Sequence, residues 1–268
     1  PIRLKRFNLK PVDYEIDIPS AQVKSCLILA ALGTGGRSVI KEKTETRNHL
    51  ELMLDSVSTD IINTTDGSIA IEKTKKSSIK EFSIDIPGDI SSASYLIGLA
   101  VLMRGSKIII NDVLINPLRM GFVNTLQKMG ANIVVERKGK EHNEEVGRIV
   151  VHGDGKLSPC KVSSELVPST IDEIPILSLI CSYVSGESII DGVGELRFKE
   201  SDRLSGIDKI LSGMGVEIKI QKDKLMINGK NKLYNTNNII NSDDHRLAMM
   251  ISCQQILSGT NVYYDDCI

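Results

Sequence analysis

Two short charged segments contain the residue types that bind and turn over anionic substrates. The first is Lys199–Arg203 (KESDR), and the second is Asp244–Arg246 (DHR). Each comes directly before a run of apolar residues with helical spacing, so we expect both segments to lie at helix N-termini. The free backbone N–H groups of a helix start attract anions, and Lys and Arg side chains add charge-assisted hydrogen bonds. The sequence therefore predicts two anion-binding helix starts.

Structural explanations of these segments stay open. A positive charge in the first turn of a helix opposes the helix dipole, so Arg246 costs stability unless it faces an anion or a carboxylate. A salt bridge to a carboxylate would compensate the charge of Arg246 as well as a bound substrate would. His245 could likewise have a structural role or bind a substrate. For Lys199–Arg203, the alternative is a capping box on a solvated helix, with Ser201 or Asp202 as the cap.

Two more polar residues stand at the starts of apolar runs. Ser20 begins SAQVKSCLILAAL, with Gln22 beside it, and Asp172 begins DEIPILSLICS, in which Pro175 is tolerated in the first turn. We predict that Ser20 and Asp172, like Asp244, are N-caps. Because they occupy equivalent places in repeated units, we expect them to line a common cleft.

A repeat organises the chain around these helix starts. A polar start, an apolar run, a Gly and a β-branched strand recur from Ser20, Ser91, Asp172 and Asp244. Three copies are followed by an amphipathic helix and two short strands, which predicts an α/β fold of repeated β-α-β-α-β-β units. The apolar helices are predicted to be buried on every side, with amphipathic helices and sheets outside them.

The segment around Pro87 and Gly88 is the predicted domain junction. Pro and Gly before a Ser-rich helix start favour a boundary there, giving domains at 1–86 and 87–268. One continuous solenoid is the alternative. The polar insert KGKEHNEEVG is expected to be a solvated hairpin tip.

Composition excludes several classes of protein. The 268 residues carry 33 Lys and Arg against 34 Asp and Glu, with 4% aromatic residues and no Trp, which disfavours a nucleic-acid binder. The longest uncharged run is too polar for a span of about 20 apolar residues, so we expect no membrane partner.

The cysteines and histidines show no metal-ligand spacing. The five cysteines lack a C-x-x-C pair, and Cys26, Cys181 and Cys253 lie in apolar runs, where we expect core packing. A reduced cytoplasm fits these free thiols. His49 and His142 have no ligand spacing either, so no metal is predicted.

Five motifs in the same order give the chain a family resemblance. They are SAQ at 20–22, GDISSASY from Gly88, IDE at 171–173, KESDR at 199–203 and DHR at 244–246. With these motifs the chain resembles the 5-enolpyruvylshikimate-3-phosphate synthase family, the enolpyruvyl transferases of the shikimate pathway. The resemblance runs from end to end of these residues and corresponds to the larger, C-terminal part of family members.

The resemblance implies a fold and a reaction. The family has two domains of three β-α-β-α-β-β units each, an inside-out barrel with helices inside, sheets outside and the active site in the cleft between. The implied reaction moves the enolpyruvyl group of phosphoenolpyruvate to shikimate 3-phosphate and releases phosphate, on the way to chorismate and the aromatic amino acids. It implies no metal or organic cofactor. We expect a cytoplasmic monomer.

The resemblance assigns one group of residues to shikimate 3-phosphate. Ser20, the Ala21 backbone and Gln22 resemble the turn that binds the sugar phosphate, and Arg47 resembles a basic position that helps to hold it. Some members have Ser where this chain has Ala21, so the phosphate would depend more on backbone N–H groups and Arg47. Asp172 resembles the carboxylate that contacts the shikimate hydroxyl and serves as a base.

A second group is assigned to phosphoenolpyruvate and the reacting centre. Lys199 and Glu200 resemble the catalytic pair, with Glu200 transferring a proton to and from the methylene carbon. Arg203, His245 and Arg246 resemble the clamp on phosphoenolpyruvate. Arginine suits this role because its planar donors match carboxylates and phosphates.

Family segments at both ends are not among these residues. The amino-terminal lysine, the Gly-rich phosphoenolpyruvate loop, an arginine just before Pro1 and the carboxyl-terminal lysine segment are absent, so we expect both domains to be partial and the 268 residues alone to be inactive. The alternatives are a UDP-N-acetylglucosamine enolpyruvyl transferase and a truncated, non-catalytic anion-binding fragment. An RNA-end-processing relative is disfavoured by the near-neutral charge.

Overall fold

The computed structural model describes residues 3, 8–57, 62–65, 67–72, 81–154, 156–232, 234 and 243–260. The chain divides into two compact units, the first formed by Pro1–Ile86 with Gly139–Glu145 and the second by Pro87–Lys138 with Val146–Ile268. The hairpin tip at 139–145 is therefore part of the first unit. The sequence predicted a solvated tip, but His142 stacks edge-on against Phe82 and His49 Nδ1 contacts Glu144.

The first unit contains one copy of the repeat. Its elements are β1 (Asp13–Ile16), α1 (Ala21–Leu32), β2 (Ser38–Glu42), α2 (His49–Val57), β3 (Ile62–Thr65) and β4 (Ser68–Ile71). The strand order is β1-β2-β4-β3, with β1 and β2 parallel and the other pairs antiparallel. Helix α1 makes the crossover that the parallel pair requires.

The second unit contains two further copies and the start of another. Its elements are α3 (Ile90–Leu102), β5 (Lys107–Leu114), α4 (Gly121–Met129), β6 (Asn132–Glu141), β7 (Glu144–His152), β8 (Lys161–Val162), α5 (Ile174–Ser182), β9 (Gly186–Asp191), α6 (Arg203–Gly213), β10 (Glu217–Gln221), β11 (Lys224–Gly229) and α7 (His245–Ser258). The tip that joins β6 to β7 is the segment counted with the first unit.

The two sheets of the second unit repeat the topology of the first. The order β8-β9-β11-β10, with β8 and β9 parallel, matches β1-β2-β4-β3. In the other sheet, β5-β7-β6, Gly88 forms a parallel bridge to Val113 and occupies the place of the first strand. The predicted β-α-β-α-β-β repeat is confirmed.

Three apolar helices form the centre of the second unit. Helices α3, α5 and α7 contact one another, and all nine residues of α5 are buried. Helix α6 packs its Leu204, Ile207 and Leu211 face against this core. The predicted layering, with apolar helices inside, therefore holds for α5 and most of α3, whereas α7 is buried over only part of its surface. No helix within the described ranges combines the length and apolarity that crossing a membrane needs.

Helix α1 of the first unit is less buried than the sequence predicted. Lys24, Ile28 and Ala31 are its buried residues, whereas Val23 and Leu29 are exposed. The first unit holds a single copy of the repeat, so α1 packs against one sheet, while α5 lies between other apolar helices.

The cysteines, like the helices, are more buried in the second unit than in the first. The prediction that Cys26 lies in a core is wrong, because it is on the exposed side of α1. Cys160, Cys181 and Cys253 are buried, and burial raises the pKa of the Cys253 thiol to about 12. Cys267 lies outside the described residues.

Candidate active site

The two charged segments meet at the starts of α6 and α7. Arg203 Nε donates to Asp244 Oδ2 at 2.9 Å, and Ser201 Oγ donates to the same oxygen at 2.8 Å. Asp244 Oδ1 accepts from the backbone N of Arg246 at 2.9 Å, which confirms Asp244 as the N-cap of α7. Asp244 therefore caps one helix and holds a side chain from the start of another.

Arg203 is enclosed by carboxylates. Besides Asp244, its guanidinium lies 3.6 Å from Asp172 Oδ1 and 2.5 Å from Glu200 Oε2, and the side chain is 1% exposed. Its Nη2 makes no aligned hydrogen bond to any described residue. Glu200 is the exposed member of the group, so it is the carboxylate that an incoming anion can displace.

Asp172 does not cap its helix. It lies in a 3-10 turn at 171–173, and α5 begins only at Ile174 without a side-chain cap, so the prediction of an Asp172 N-cap is wrong. The turn is closed by the bond from Glu173 N to Thr170 O at 2.9 Å. With its side chain released from capping, Asp172 faces Arg203 instead.

Arg246 has donors that the protein leaves open. Its Nε and Nη1 atoms are buried and have no hydrogen-bond partner among the described residues. Its backbone carbonyl accepts from Tyr95 Oη at 3.0 Å, which ties the start of α7 to α3. Burying unpaired guanidinium donors is costly, so their position at a helix start indicates an anion site. His245 beside it is exposed.

The pKa values of two carboxylates near the site, Asp244 and Glu173, are shifted in opposite directions. Burial alone would raise the pKa of Asp244, but hydrogen bonds from Ser201 and Arg203 bring that pKa below its usual value. Burial raises the pKa of Glu173, and the Ser91 hydrogen bond and the charge of Arg119 offset only part of this. Asp244 therefore stays negative and keeps Arg203 in place, while Glu173 depends on its neighbours for its charge.

Lys199 and Glu200 lie on the short connection into α6. Lys199 is extended and half-buried, and Glu200 is exposed. Helix α6 begins at Arg203 because Asp202 Oδ1 accepts from Ser205 N at 3.0 Å. This cap is one of the two that the sequence offered, and it leaves Ser201 to bind Asp244.

The residues predicted to bind the sugar phosphate lie in the first unit. Ser20 Oγ accepts from Val23 N at 3.4 Å and caps α1, as predicted. Ala21 is the first residue of α1, and Gln22 is exposed on its first turn. Arg47 is half-buried on the segment that leads from β2 into α2. Their common role in binding stays a prediction.

A buried lysine ties α1 to the segment that carries Arg47. Lys24 Nζ donates to Thr46 O at 3.2 Å and pairs with Glu42 at 2.9 Å and Glu51 at 2.7 Å. Lys24 is 1% exposed, so these contacts are shielded from water. They link the first turn of α1 to the residue directly before Arg47.

A cavity of about 640 Å³ adjoins this lysine. Its lining includes the carboxylates of Glu42, Glu45, Glu51 and Asp55 with Lys24 as the counter-charge. The excess of negative charge in this cavity would repel a phosphate. The Ser20 turn suits a phosphate better. Among the described residues, no group of three or more His, Cys, Asp or Glu side chains is arranged to hold a metal ion.

The structure adds site residues that the sequence did not single out. Ser91, Arg119 and Glu173 connect the starts of α3 and α5, and Tyr95 reaches α7. Ser91 lies in the GDISSASY motif and Glu173 in the IDE motif, so these motifs could have pointed to both residues. Arg119 follows a Pro-Leu turn in an apolar stretch, and no sequence motif pointed to it.

Comparisons with known proteins identify the family of the chain. The family model of EPSP synthase (3-phosphoshikimate 1-carboxyvinyltransferase) matches residues 1–268. The 3-phosphoshikimate 1-carboxyvinyltransferase of Clostridium tetani is 38% identical over 97% of this chain and 59% of its own length. That of Oenococcus oeni is 40% identical over 95% of this chain and 57% of its own length.

Solved structures give the same result. The EPSP synthase of Acinetobacter baumannii superposes with a TM-score of 0.78 and 30% identity, covering 95% of this chain and 57% of that one. The enolpyruvyl transferase NikO from Streptomyces tendae shares the fold, with a TM-score of 0.62 and 16% identity over 94% of this chain and 58% of that one. The chain spans about three fifths of the length of these relatives. Because the family model covers the whole chain, these 268 residues belong to the EPSP synthase family.

Proposed function

We propose that the protein containing this chain transfers the enolpyruvyl group of phosphoenolpyruvate to shikimate 3-phosphate with release of phosphate. The observation that carries the proposal is the pair of buried, unpartnered donors of Arg246 at the start of α7. They lie in a family member whose relatives are named for this reaction. Both substrates are phosphorylated carboxylates, which suit arginine donors at a helix N-terminus.

Arg246 binds phosphoenolpyruvate in this proposal, and Arg203 joins it when the substrate displaces Glu200. Arg203 Nη2 is the donor that faces Glu200. His245 is exposed beside Arg246 and contributes a further donor to the same anion. Each guanidinium presents paired N–H groups, so orientation as well as charge is set by the site.

Asp172 and Glu200 divide the proton transfers. Asp172 removes the proton of the attacking hydroxyl of shikimate 3-phosphate, and the oxygen bonds to the substituted carbon of phosphoenolpyruvate. Glu200 gives a proton to the methylene carbon. The product of these two steps is an intermediate in which the substituted carbon is tetrahedral. Glu200 then takes a proton back from the methyl carbon as the C–O bond to phosphate breaks and the double bond re-forms, and the proton that Asp172 accepted leaves with the phosphate. Lys199 supplies positive charge next to Glu200 as the phosphate departs.

The first unit holds the sugar phosphate. The hydroxyl of Ser20, the backbone N–H of Ala21 and the amide of Gln22 lie at the start of α1, where N–H groups are free to bind an anion. Arg47 adds a charged donor. Lys24 keeps the Arg47 segment tied to α1 through its bond to Thr46 O.

The test uses the longest natural form of the protein that contains this chain. Phosphate release is measured with both substrates, and Asp172→Asn and Glu200→Gln should each lower kcat by at least about 100-fold. Asp208→Asn, on the outer part of α6, is the matched control and should keep kcat. Turnover with UDP-N-acetylglucosamine instead of shikimate 3-phosphate would establish the alternative enolpyruvyl transferase. Binding of both substrates without turnover would establish an anion-binding module.

Location and assembly are part of the proposal. The described residues contain no helix able to span a membrane, and the relatives are biosynthetic enzymes by name. We propose a cytoplasmic monomer. Sedimentation at micromolar concentration should give the mass of one chain, and a dimer mass would contradict it.

A further inference from the structure

A buried polar network joins the starts of α3 and α5. Arg119 Nη2 donates to Asp89 Oδ1 at 3.1 Å and also contacts Ser91 Oγ. Ser91 Oγ in turn donates to Glu173 Oε1. Ser91 is 0% exposed, Glu173 2% and Arg119 9%, so these side chains are shielded from water, whereas Asp89 is exposed. The three buried side chains come from three separate segments of the second unit.

Each member of the network is costly without the others. A buried carboxylate needs a donor, and Ser91 supplies one to Glu173. A buried guanidinium needs acceptors, and Arg119 finds them in Asp89 and Ser91. Because removal of one partner leaves the next one unsatisfied, the network favours one arrangement of these segments over others.

Backbone packing brings the Arg119 segment against the turn that carries Asp172. Gly121, two residues after Arg119, starts α4, and a Cβ atom there would lie 2.2 Å from both Ser169 Oγ and Thr170 Oγ1. This close approach requires glycine. Gly121 therefore lies directly on residues 169–170, which lead into the turn at 171–173, and Arg119 connects to that turn through Ser91 and Glu173.

We propose that Arg119, Ser91 and Glu173 are positioning residues for Asp172. Glu173 follows Asp172 directly in the 3-10 turn, so holding the Glu173 side chain fixes the backbone on which Asp172 stands. Asp172 then keeps its place opposite Arg203, with Oδ1 and Nη1 3.6 Å apart. The inference rests on the proposed function, in which Asp172 is the base.

Ser91 Oγ bonds Glu173 and Arg119, so its removal acts first on the turn that carries the base. Ser91→Ala should lower kcat, because a displacement of about 1 Å of a reacting group costs on the order of 100-fold. The KM for phosphoenolpyruvate should stay within about twofold, since that substrate is held by Arg246. Glu173→Gln keeps an oxygen that accepts from Ser91 and should retain most of kcat, whereas Glu173→Ala should behave like Ser91→Ala.

Ser92→Ala is the matched control. Ser92 lies in the same helical turn and is exposed, and its hydroxyl donates to Asp89 at 3.1 Å. Kinetics are measured per folded molecule in the longest natural form, with thermal unfolding followed in parallel. A purely structural role would reduce the folded fraction and leave kcat per folded molecule unchanged. That outcome, or equal kcat for Ser91→Ala and Ser92→Ala, would overturn the inference.

Two measurements separate the inference from the proposed function. If the wild-type protein turns over no substrate, the proposed function fails, and the network is then judged by amide hydrogen exchange at 171–174. Exchange there should be at least about tenfold faster in Ser91→Ala than in Ser92→Ala, and equal exchange would overturn it. If Ser91→Ala does not fold, Arg119→Met replaces it, because Met keeps an unbranched side chain and removes the donors to Ser91 and Asp89.

Discussion

Arg203 and Asp244 form a buried ion pair, with Nε and Oδ2 2.9 Å apart and both side chains at most 1% exposed. The pair joins residues 41 positions apart in the chain and connects the starts of α6 and α7. Asp244 also caps α7, so one carboxylate sets the place of Arg203 and the first turn that carries Arg246. The geometry of both arginines therefore depends on Asp244.

The stability of this pair should depend on pH. Folding lowers the pKa of Asp244, since hydrogen bonds from Ser201 and Arg203 outweigh the effect of burial. Its contribution is therefore present above the unfolded pKa, near 3.9, and is lost as pH falls through the folded value. Asp244→Asn should lower the free energy of unfolding at pH 7 and matter less below about pH 3.5. Urea unfolding at both pH values measures this, and a cost that does not change with pH would contradict it.

Lys24 should be a strong determinant of stability in the first unit. Replacing it with Met leaves Glu42 and Glu51 buried without their counter-charge, which costs about 3–5 kcal/mol. Lys43→Met is the control, because Lys43 pairs with Asp17 in the solvent and should matter little. Urea denaturation measures the free energy of unfolding of both variants. Equal stability of the two would mean that the buried cluster does not stabilise the fold.

The helix starts could be predicted because their chemistry is local. Ser20, Asp202 and Asp244 each accept from a backbone N–H two or three residues further on, so the partner is visible in the sequence. The repeat was visible for a similar reason, since the apolar runs and the strands recur in a fixed order. Asp172 was misjudged because a 3-10 turn, set by packing around 169–173, separates it from α5.

Contacts between distant segments could not be predicted. Ser91 and Glu173 are 82 positions apart, and Lys24 lies 18 positions before Glu42. The sequence does not reveal whether a serine or a lysine in an apolar run contacts water or a buried carboxylate. The exposed face of α1 was missed because burial depends on how many neighbouring copies of the repeat pack on a helix, which periodicity alone does not state.

Gly229 should tolerate no side chain. It ends β11 against the last turn of α5, and a Cβ atom there would lie 2.1 Å from Cys181 O and 2.3 Å from Val184 O. These are backbone atoms that cannot rotate away, so Gly229→Ala should destabilise the second unit by about 3 kcal/mol. Gly139→Ala is the control, since nothing lies within 4 Å of its Cβ position. A thermal unfolding midpoint equal for both variants would contradict the close packing of β11 on α5.

Arg246 should be essential for phosphoenolpyruvate affinity in a way that its charge alone does not explain. Its Nε and Nη1 are both buried without a partner in the described structure, so a ligand that reaches them meets two open donors on one planar group. Arg246→Lys keeps the charge but offers a single ammonium in place of the planar pair, and the dissociation constant should rise at least about tenfold.

Arg197→Lys is the control, because Arg197 is exposed and its pairing with Asp202, at 3.3 Å at the start of α6, can be kept by a lysine. Calorimetric titration with phosphoenolpyruvate alone, so that no heat of turnover is released, compares the two in the longest natural form. Asp244→Asn should weaken binding as well, because Asp244 fixes the turn on which Arg246 stands. Wild-type affinity in Arg246→Lys would mean that the open donors of Arg246 do not bind this substrate, and the site would have to be sought at Arg203 and Lys199.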